Sequence, residues 1–204
     1  MADDLNSVKS ERAYHHGALR PALIAAAEAV LEERGADGFS LREAARRAGV
    51  SPAAPAHHFG DASGLLTAVA ASAFVDLGDA LAGASAEGDR AGRIRAQGMA
   101  YVRFALANRA RFDLMWRAGL LKRDDPDYSA AAKRAFLLLQ TAVQGHGSGA
   151  EEPGGPGTAA SIACWSLVHG FARLAIDGEF GTGPGEAEAA VEALLPAVLD
   201  HLAV

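Results

Sequence analysis

Residues 40–66 read SLREAARRAGVSPAAPAHHFGDASGLL, two short helical patterns meeting at a tight turn, and the rest of the chain reads as their mount. Ser40 stands ahead of an apolar-periodic run with Glu43 three residues on, the capping-box arrangement in which a serine oxygen accepts from the amides that open a helix. Leu41, Ala44, Ala45 and Ala48 recur on one side as a buried stripe. Gly49 supplies the positive φ that ends this helix, Val50 plugs the crook, and Ser51 with Pro52 starts the second helix in the cap-plus-first-position order. The result is a helix, a three-residue turn and a helix, with alanines that let the two approach closely.

On pattern alone this is either a structural hairpin or a helix-turn-helix whose second helix lies in the major groove. A longer ordered set of residues carries a resemblance. An amphipathic helix ends at Gly35; then come Gly38-Phe39-Ser40-Leu41-Arg42-Glu43-Ala44-Ala45, Ala48-Gly49-Val50-Ser51, His57-His58-Phe59-Gly60 and Gly64-Leu65-Leu66. This set, over roughly a quarter of the chain, resembles the DNA-binding domain of the TetR family of bacterial transcription regulators. Two departures stand out. Pro55-Ala56 occupy the place of a large apolar residue and a tyrosine, and Ala62 stands where a lysine usually follows Gly60; in the family that tyrosine and lysine touch phosphates. Pro55 either shortens the second helix or sits in its first turn, where a missing N–H costs little.

The resemblance implies an all-α fold: a flexible arm (1–16), a three-helix DNA-binding head (17–62) and a helical-bundle body (63–204) for ligand binding and dimerisation. Carried onto this sequence, Ser51, Ala53, Ala54, His57 and His58 are expected at base edges, and Ser40, Arg42 and Arg46 at phosphates. Short side chains permit close backbone approach, and alanine methyls can meet thymine methyls. The arm, with Lys9, Arg12, Tyr14, His15 and His16, reads equally as a groove-reaching tail or as a leader whose tyrosine packs on the head.

With 204 residues, half of them hydrophobic, the chain can bury a real core. A net charge of −6 excludes a general polyanion binder, since non-specific affinity comes from neutralised phosphates. From Lys9 to Gly60, seven bases face six acids, a net of +1, so DNA binding has to rest on local placement in two copies of the head. A lone Cys164 excludes a disulfide framework or a multi-cysteine zinc site and suits a reducing compartment. The polar opening residues hold no apolar leader, so a cytoplasmic location is expected. Residues 159–176 are apolar but marginal in length for a membrane span and carry His169 and Arg173, which favours a buried helix and no membrane partner.

Helical spacing predicts further elements at 18–34, with Pro21 in the first turn, from Asp61 or Ser63 to about 77, and at 90–108, 109–119, 128–145, 158–178 and 186–202. A glycine-rich linker is expected at 145–157. Enzymatic classes find no support. No Glu-x-x-His pair is present for a di-iron bundle and no Gly-x-Ser-x-Gly elbow for a hydrolase. Neither glycine run, GHGSGA or GTGPGE, follows a strand, and the acidic loop at 124–127 lacks the calcium-loop spacing, so no cofactor or metal is expected.

In the body, Trp165-Ser166-Leu167-Val168-His169-Gly170 resembles the tryptophan-histidine-glycine signature of one C-terminal class within the TetR family, in which the last two helices of each subunit build the dimer. Residues 158–178 are apolar nearly all round and need cover on both faces. Leu167, Phe171, Val191, Leu195 and Val198 are therefore expected at a homodimer interface. Met99, Tyr101, Phe104, Phe112, Met115, Trp116, Trp165 and His169 are either core or the lining of an effector pocket, with His169 a satisfied core histidine or the polar contact. The resemblance implies a repressor bound to double-stranded operator DNA and released by a small, largely apolar effector. The alternative is a small-molecule binding protein or adaptor that kept the fold with weak or no DNA affinity.

Overall fold

A computed structural model describes residues 4–84, 89–144, 156–183 and 185–201, with side chains of the first helix described from Leu19 onward. Among the described residues the chain forms helices and no strand: α1 (Asp4–Arg34), α2 (Leu41–Arg47), α3 (Ala54–Phe59), α4 (Ala62–Gly83), α5 (Arg90–Ala107), α6 (Arg109–Met115), a 3-10 turn (Ala118–Leu120), α7 (Pro126–Gln144), α8 (Pro156–Ile176) and α9 (Glu186–Asp200).

Helix starts follow capping chemistry. The Asp61 carboxylate accepts from the Gly64 amide at 2.8 Å, which makes Asp61 and not Ser63 the cap of α4. Asp89 accepts from Gly92 at 2.8 Å to open α5, and Asp125 accepts from the amides of Asp127 and Tyr128 at 3.0 Å each to open α7.

The apolar α4 joins the two halves. Its early turns meet α1 and α3, and its length packs on α5, α6 and α7. Leu65, Val69, Ala70 and Ala73 are fully buried along it. In the body, α8 and α9 both lie against α5. Gly98 permits this: a Cβ there would come within 2.7 Å of a Leu199 methyl and 3.3 Å of a Val168 methyl, so no larger residue lets α8 and α9 close on α5 together.

Three expectations are corrected. The first helix begins at Asp4, so the backbone of most of the expected arm is helical, with no Pro or Gly between 4 and 16 to stop it; the arm's side chains lie outside the described residues. Pro21 consequently sits inside α1 and not in its first turn, at the expense of one backbone hydrogen bond. Among the residues expected at a subunit interface, Leu195 (0% exposed), Val191 (1%) and Phe171 (7%) have almost no surface to offer a partner, because they point into their own body. Leu167 and Val198 are half-buried. The exposed side of α8 carries Ile162 (47%) and Leu174 (48%), and that of α9 carries Leu194 (48%), so the uncovered apolar face lies elsewhere on the same two helices. The glycine-rich linker lies mostly outside the described residues.

Candidate nucleic-acid interface and body cavity

Ser40 caps α2 as expected, its hydroxyl accepting from the Glu43 amide at 3.4 Å. The Glu43 carboxylate, however, is taken by arginines: Arg46 grips it with two bonds of 2.8 Å, Arg47 adds one of 3.0 Å, and Arg34 reaches to 3.6 Å. Hydrogen bonds from Arg46 and then Arg47 hold Glu43 far below the usual carboxylate range, at about 2. Arg47 also pairs with Glu33 on α1. The expected phosphate contact Arg46 is thus pre-paired, though it is exposed; Arg42 is exposed and forms no ion pair among the described residues.

Ala44 and Ala45 are fully buried under α2, and Gly49 turns the chain at φ +69°. The second helix starts later than expected. Ala53, not Ser51, is the cap of α3, without a side-chain bond, and Pro55 falls in its first turn, leaving a helix of six residues. Ser51, Ala53 and His57 are exposed at the outer side of this unit, while Ala54 is half-buried. His58 turns away from them: it is half-buried beside the Phe59 ring, at 6.4 Å, and borders a groove shared with Arg20 and Lys122. Of the expected DNA-facing set, Ser51, Ala53, His57, Arg42 and Arg46 are exposed, Arg42 and Arg46 border one shallow groove with Ser40 and Pro52, and Ala54 and His58 are half-buried.

The body holds a cavity of about 350 Å³ between α4, α5, α6, α7 and α8. Four of the eight expected residues line it: Tyr101, Met115, Trp116 and Trp165. Phe112, fully buried, packs behind them edge-on to Tyr101 at 5.7 Å. Met99, Phe104 and His169 also stand off the wall. His169 is instead half-buried behind the wall and hydrogen-bonded: its Nδ1 lies 3.0 Å from the Tyr101 hydroxyl, which also accepts from the Trp165 indole N–H at 3.4 Å. Burial, aided by Arg173, lowers the His169 pKa and so favours the neutral ring that can accept. Burial likewise pushes the Tyr101 phenol up, keeping it a donor.

Beyond the eight, Ala118 and Arg123 line the cavity from the 3-10 turn and the loop after it, and the rest of the wall comes from two helices. From α4 come Phe74, Leu77 and Leu81; from α7 come Tyr128, Ala132, Ala135, Phe136 and Leu139. Each set recurs at helical spacing, which was the available signal. Phe74 stands edge-on to both Trp116 and Tyr128 at 5.5 Å, and Ala132 and Ala135 are too small to fill the space these rings leave.

One segment belongs to both sites. Met115, Trp116, Ala118 and Arg123 line the cavity, and residues between them hold the head. Arg117 makes two bonds of 3.2 Å to Asp37 in the α1–α2 turn, the Ser63 hydroxyl donates to the Leu120 carbonyl at 2.7 Å, and the Lys122 ammonium lies 2.9 Å from Asp61. The Lys122 amide also donates to the Thr67 hydroxyl at 2.9 Å. No group of histidine, cysteine or acidic side chains suited to a metal occurs among the described residues.

Comparison with known proteins agrees with this arrangement. Residues 23–69 match the family described as bacterial regulatory proteins, tetR family, and residues 94–198 match the tetracyclin repressor-like C-terminal domain. Comparison with curated proteins finds no match. A solved structure of a protein with unknown function from Rhodococcus sp. RHA1 is 36% identical, with 94% of this chain and 98% of that one aligned at a TM-score of 0.73. The TetR family transcriptional regulator PfmR from Thermus thermophilus, 22% identical, shares the fold over 88% of this chain and 96% of its own at a TM-score of 0.63. The multidrug binding protein EbrR, solved with imidazole, shares it at 18% identity over 90% and 93% with a TM-score of 0.60. The chain belongs to the TetR family of bacterial regulatory proteins and is a DNA-binding transcriptional regulator.

Proposed function

We propose that this chain is a cytoplasmic, homodimeric repressor that leaves its operator when a small molecule occupies the body cavity. The segment from Met115 to Arg123 carries the reading. It is at once a wall of the cavity and, through Arg117–Asp37, Ser63–Leu120 and Lys122–Asp61, the strut of the head, so displacing Trp116 or Ala118 shifts the orientation of α2 and α3. A ligand acts on DNA affinity only if it binds one head orientation better than the other, and this segment is where the two sites share atoms.

Dimerisation is supported by the outer faces of α8 and α9. The apolar stretch of α8 is only 33% buried, against 61% for that of α4, and Ile162, Leu174 and Leu194 lie open to solvent on it and its neighbour. Apolar patches of that kind mark a surface covered by a partner. A second copy also supplies the second head that a nearly neutral DNA-binding unit needs. Ser51, Ala53, His57 and Arg42 are the proposed DNA contacts, with Arg46 available if Glu43 releases it. The internal pairing of Arg46 and Arg47 favours a second reading, a small-molecule binding protein with weak DNA affinity.

Titrating the chain against labelled DNA from its own upstream region separates the two. The double substitution Ser51→Glu and His57→Glu places carboxylates at the proposed contact face and should weaken binding by about a hundredfold or more while leaving the fold intact. Equal binding by wild type and variant rejects the contact assignment. Absence of specific binding by the wild type selects the second reading.

A further inference from the structure

The chemistry of the cavity wall deepens the sensor reading, on which the following rests. The lining is apolar and aromatic apart from one formal charge, Arg123, and includes no aspartate or glutamate. A cationic guest would find no counter-charge there. Arg123 forms no ion pair among the described residues. Of the acids that follow it in sequence, Asp125 caps α7, and with Asp127 it borders the groove on the other side of that helix start.

The remaining polar groups are donors or are already used. The Tyr101 hydroxyl serves His169 and Trp165, and the Tyr128 hydroxyl donates to the Met115 carbonyl at 3.4 Å. The Trp116 indole N–H, by contrast, is shut off from solvent with no acceptor. A guest therefore meets one unspent donor group, the Arg123 guanidinium at the exposed rim, since the Trp116 N–H is out of its reach, and no carboxylate. Such a guest gains most from a head group that only accepts. The second groove has no such one-sided lining: Arg20, Lys122 and Arg134 share it with Asp125 and Asp127, and Lys122 and Arg134 are already paired with Asp61 and Asp79.

From this wall chemistry we infer that the cavity selects small amphiphilic acids, with a hydrophobic body among Phe74, Trp116, Phe136 and Trp165 and a carboxylate held by Arg123. Lipophilic cations, of similar size and apolar content, are disfavoured at the same site.

Two matched series test this on the full chain: 4-phenylbutyrate, its amide and the corresponding amine, and decanoate, its amide and the corresponding amine. The only two tryptophans of the chain, Trp116 and Trp165, both line the cavity, so intrinsic fluorescence with calorimetry reads occupancy directly. The carboxylate of at least one series should bind about tenfold more tightly than its amide, as a charge-assisted bond implies, and the amine more weakly still. Arg123→Glu should remove the carboxylate's advantage and raise the amine above it; Ala135→Trp, which fills the cavity, should abolish binding of all. An amide or amine that binds as well as its acid, or an order unchanged in Arg123→Glu, overturns the acid preference and leaves the sensor reading standing. Binding that survives Ala135→Trp places the site elsewhere, and no binding by any of the six compounds rejects both the preference and the cavity as a sensor.

Discussion

Alanine does opposite work in the two halves of this molecule. Under the head, Ala44 and Ala45 are fully buried, so the short side chains let α2 settle closely on what lies beneath it. In the body, Ala132 and Ala135 face Phe74, Trp116, Tyr128 and Trp165, and their shortness leaves about 350 Å³ open. The same residue permits close approach in the head and keeps a gap open in the body, where its partners are large and stiff. A closely packed head and an open body thus come from one side chain in two settings.

A pair of substitutions is the sharpest way to break that comparison. Ala44→Leu forces a branched side chain into a filled site and should cost about 3 kcal/mol, with loss of the head's fold and of DNA binding. Ala135→Leu puts the same added atoms into open space, where apolar burial of about 0.8 kcal/mol per methylene outweighs lost rotamer freedom, so stability should hold or rise by about 1 kcal/mol. Thermal unfolding of both variants is the check. Equal destabilisation would mean that the body packs as tightly as the head.

Smaller effects sharpen the account of the cavity's polar edge. Tyr101→Phe removes the hydroxyl that bonds both His169 and Trp165 and should cost about 1–2 kcal/mol, since the indole N–H loses its acceptor; denaturant unfolding that matches wild type would show the network to be idle. His169 gives a gentler dependence. Its folded-state pKa lies below its usual 6.5, so below that value the unfolded chain takes up the proton first. The stability it contributes is present in full above about 6.5 and is lost as pH falls from there toward the lowered folded-state value. His169→Gln should flatten stability between pH 7 and 5 relative to wild type, whereas parallel profiles would contradict the assignment.

The head was legible in the sequence because its signals are local. A cap at Ser40, a glycine at 49 and an alanine stripe fix backbone geometry within a few residues. The start of α3 was misread by two residues: Ser51-Pro52 is a good opening signal, but Pro55 competes for the same first-turn role, and the hydrogen bond from the Ala54 amide to the Ser51 carbonyl, 3.0 Å, places the turn later. Glu43 was expected to close a capping box; three arginines within reach offered its carboxylate stronger partners. The cavity was half legible. Tyr101, Met115, Trp116 and Trp165 announced themselves as bulky residues in three helices, but which wall faces them is a matter of helix packing, and periodicity cannot distinguish the α4 and α7 stripes as lining from the same stripes as core. Faces of an all-apolar helix are equally silent in sequence, and for that reason Phe171 was expected outside and is found inside.

Coupling of the cavity to the DNA-binding face through residues 115–123 is read from the dissociation constant for upstream DNA, with the cavity empty and with it saturated by 4-phenylbutyrate or decanoate, whichever binds. Saturation should raise it about tenfold or more, equivalent to about 1.4 kcal/mol of coupling, and the rise should shrink toward none when Arg117→Ala and Lys122→Ala are introduced together. An unchanged dissociation constant with the cavity full, or full coupling retained in the double variant, would contradict it.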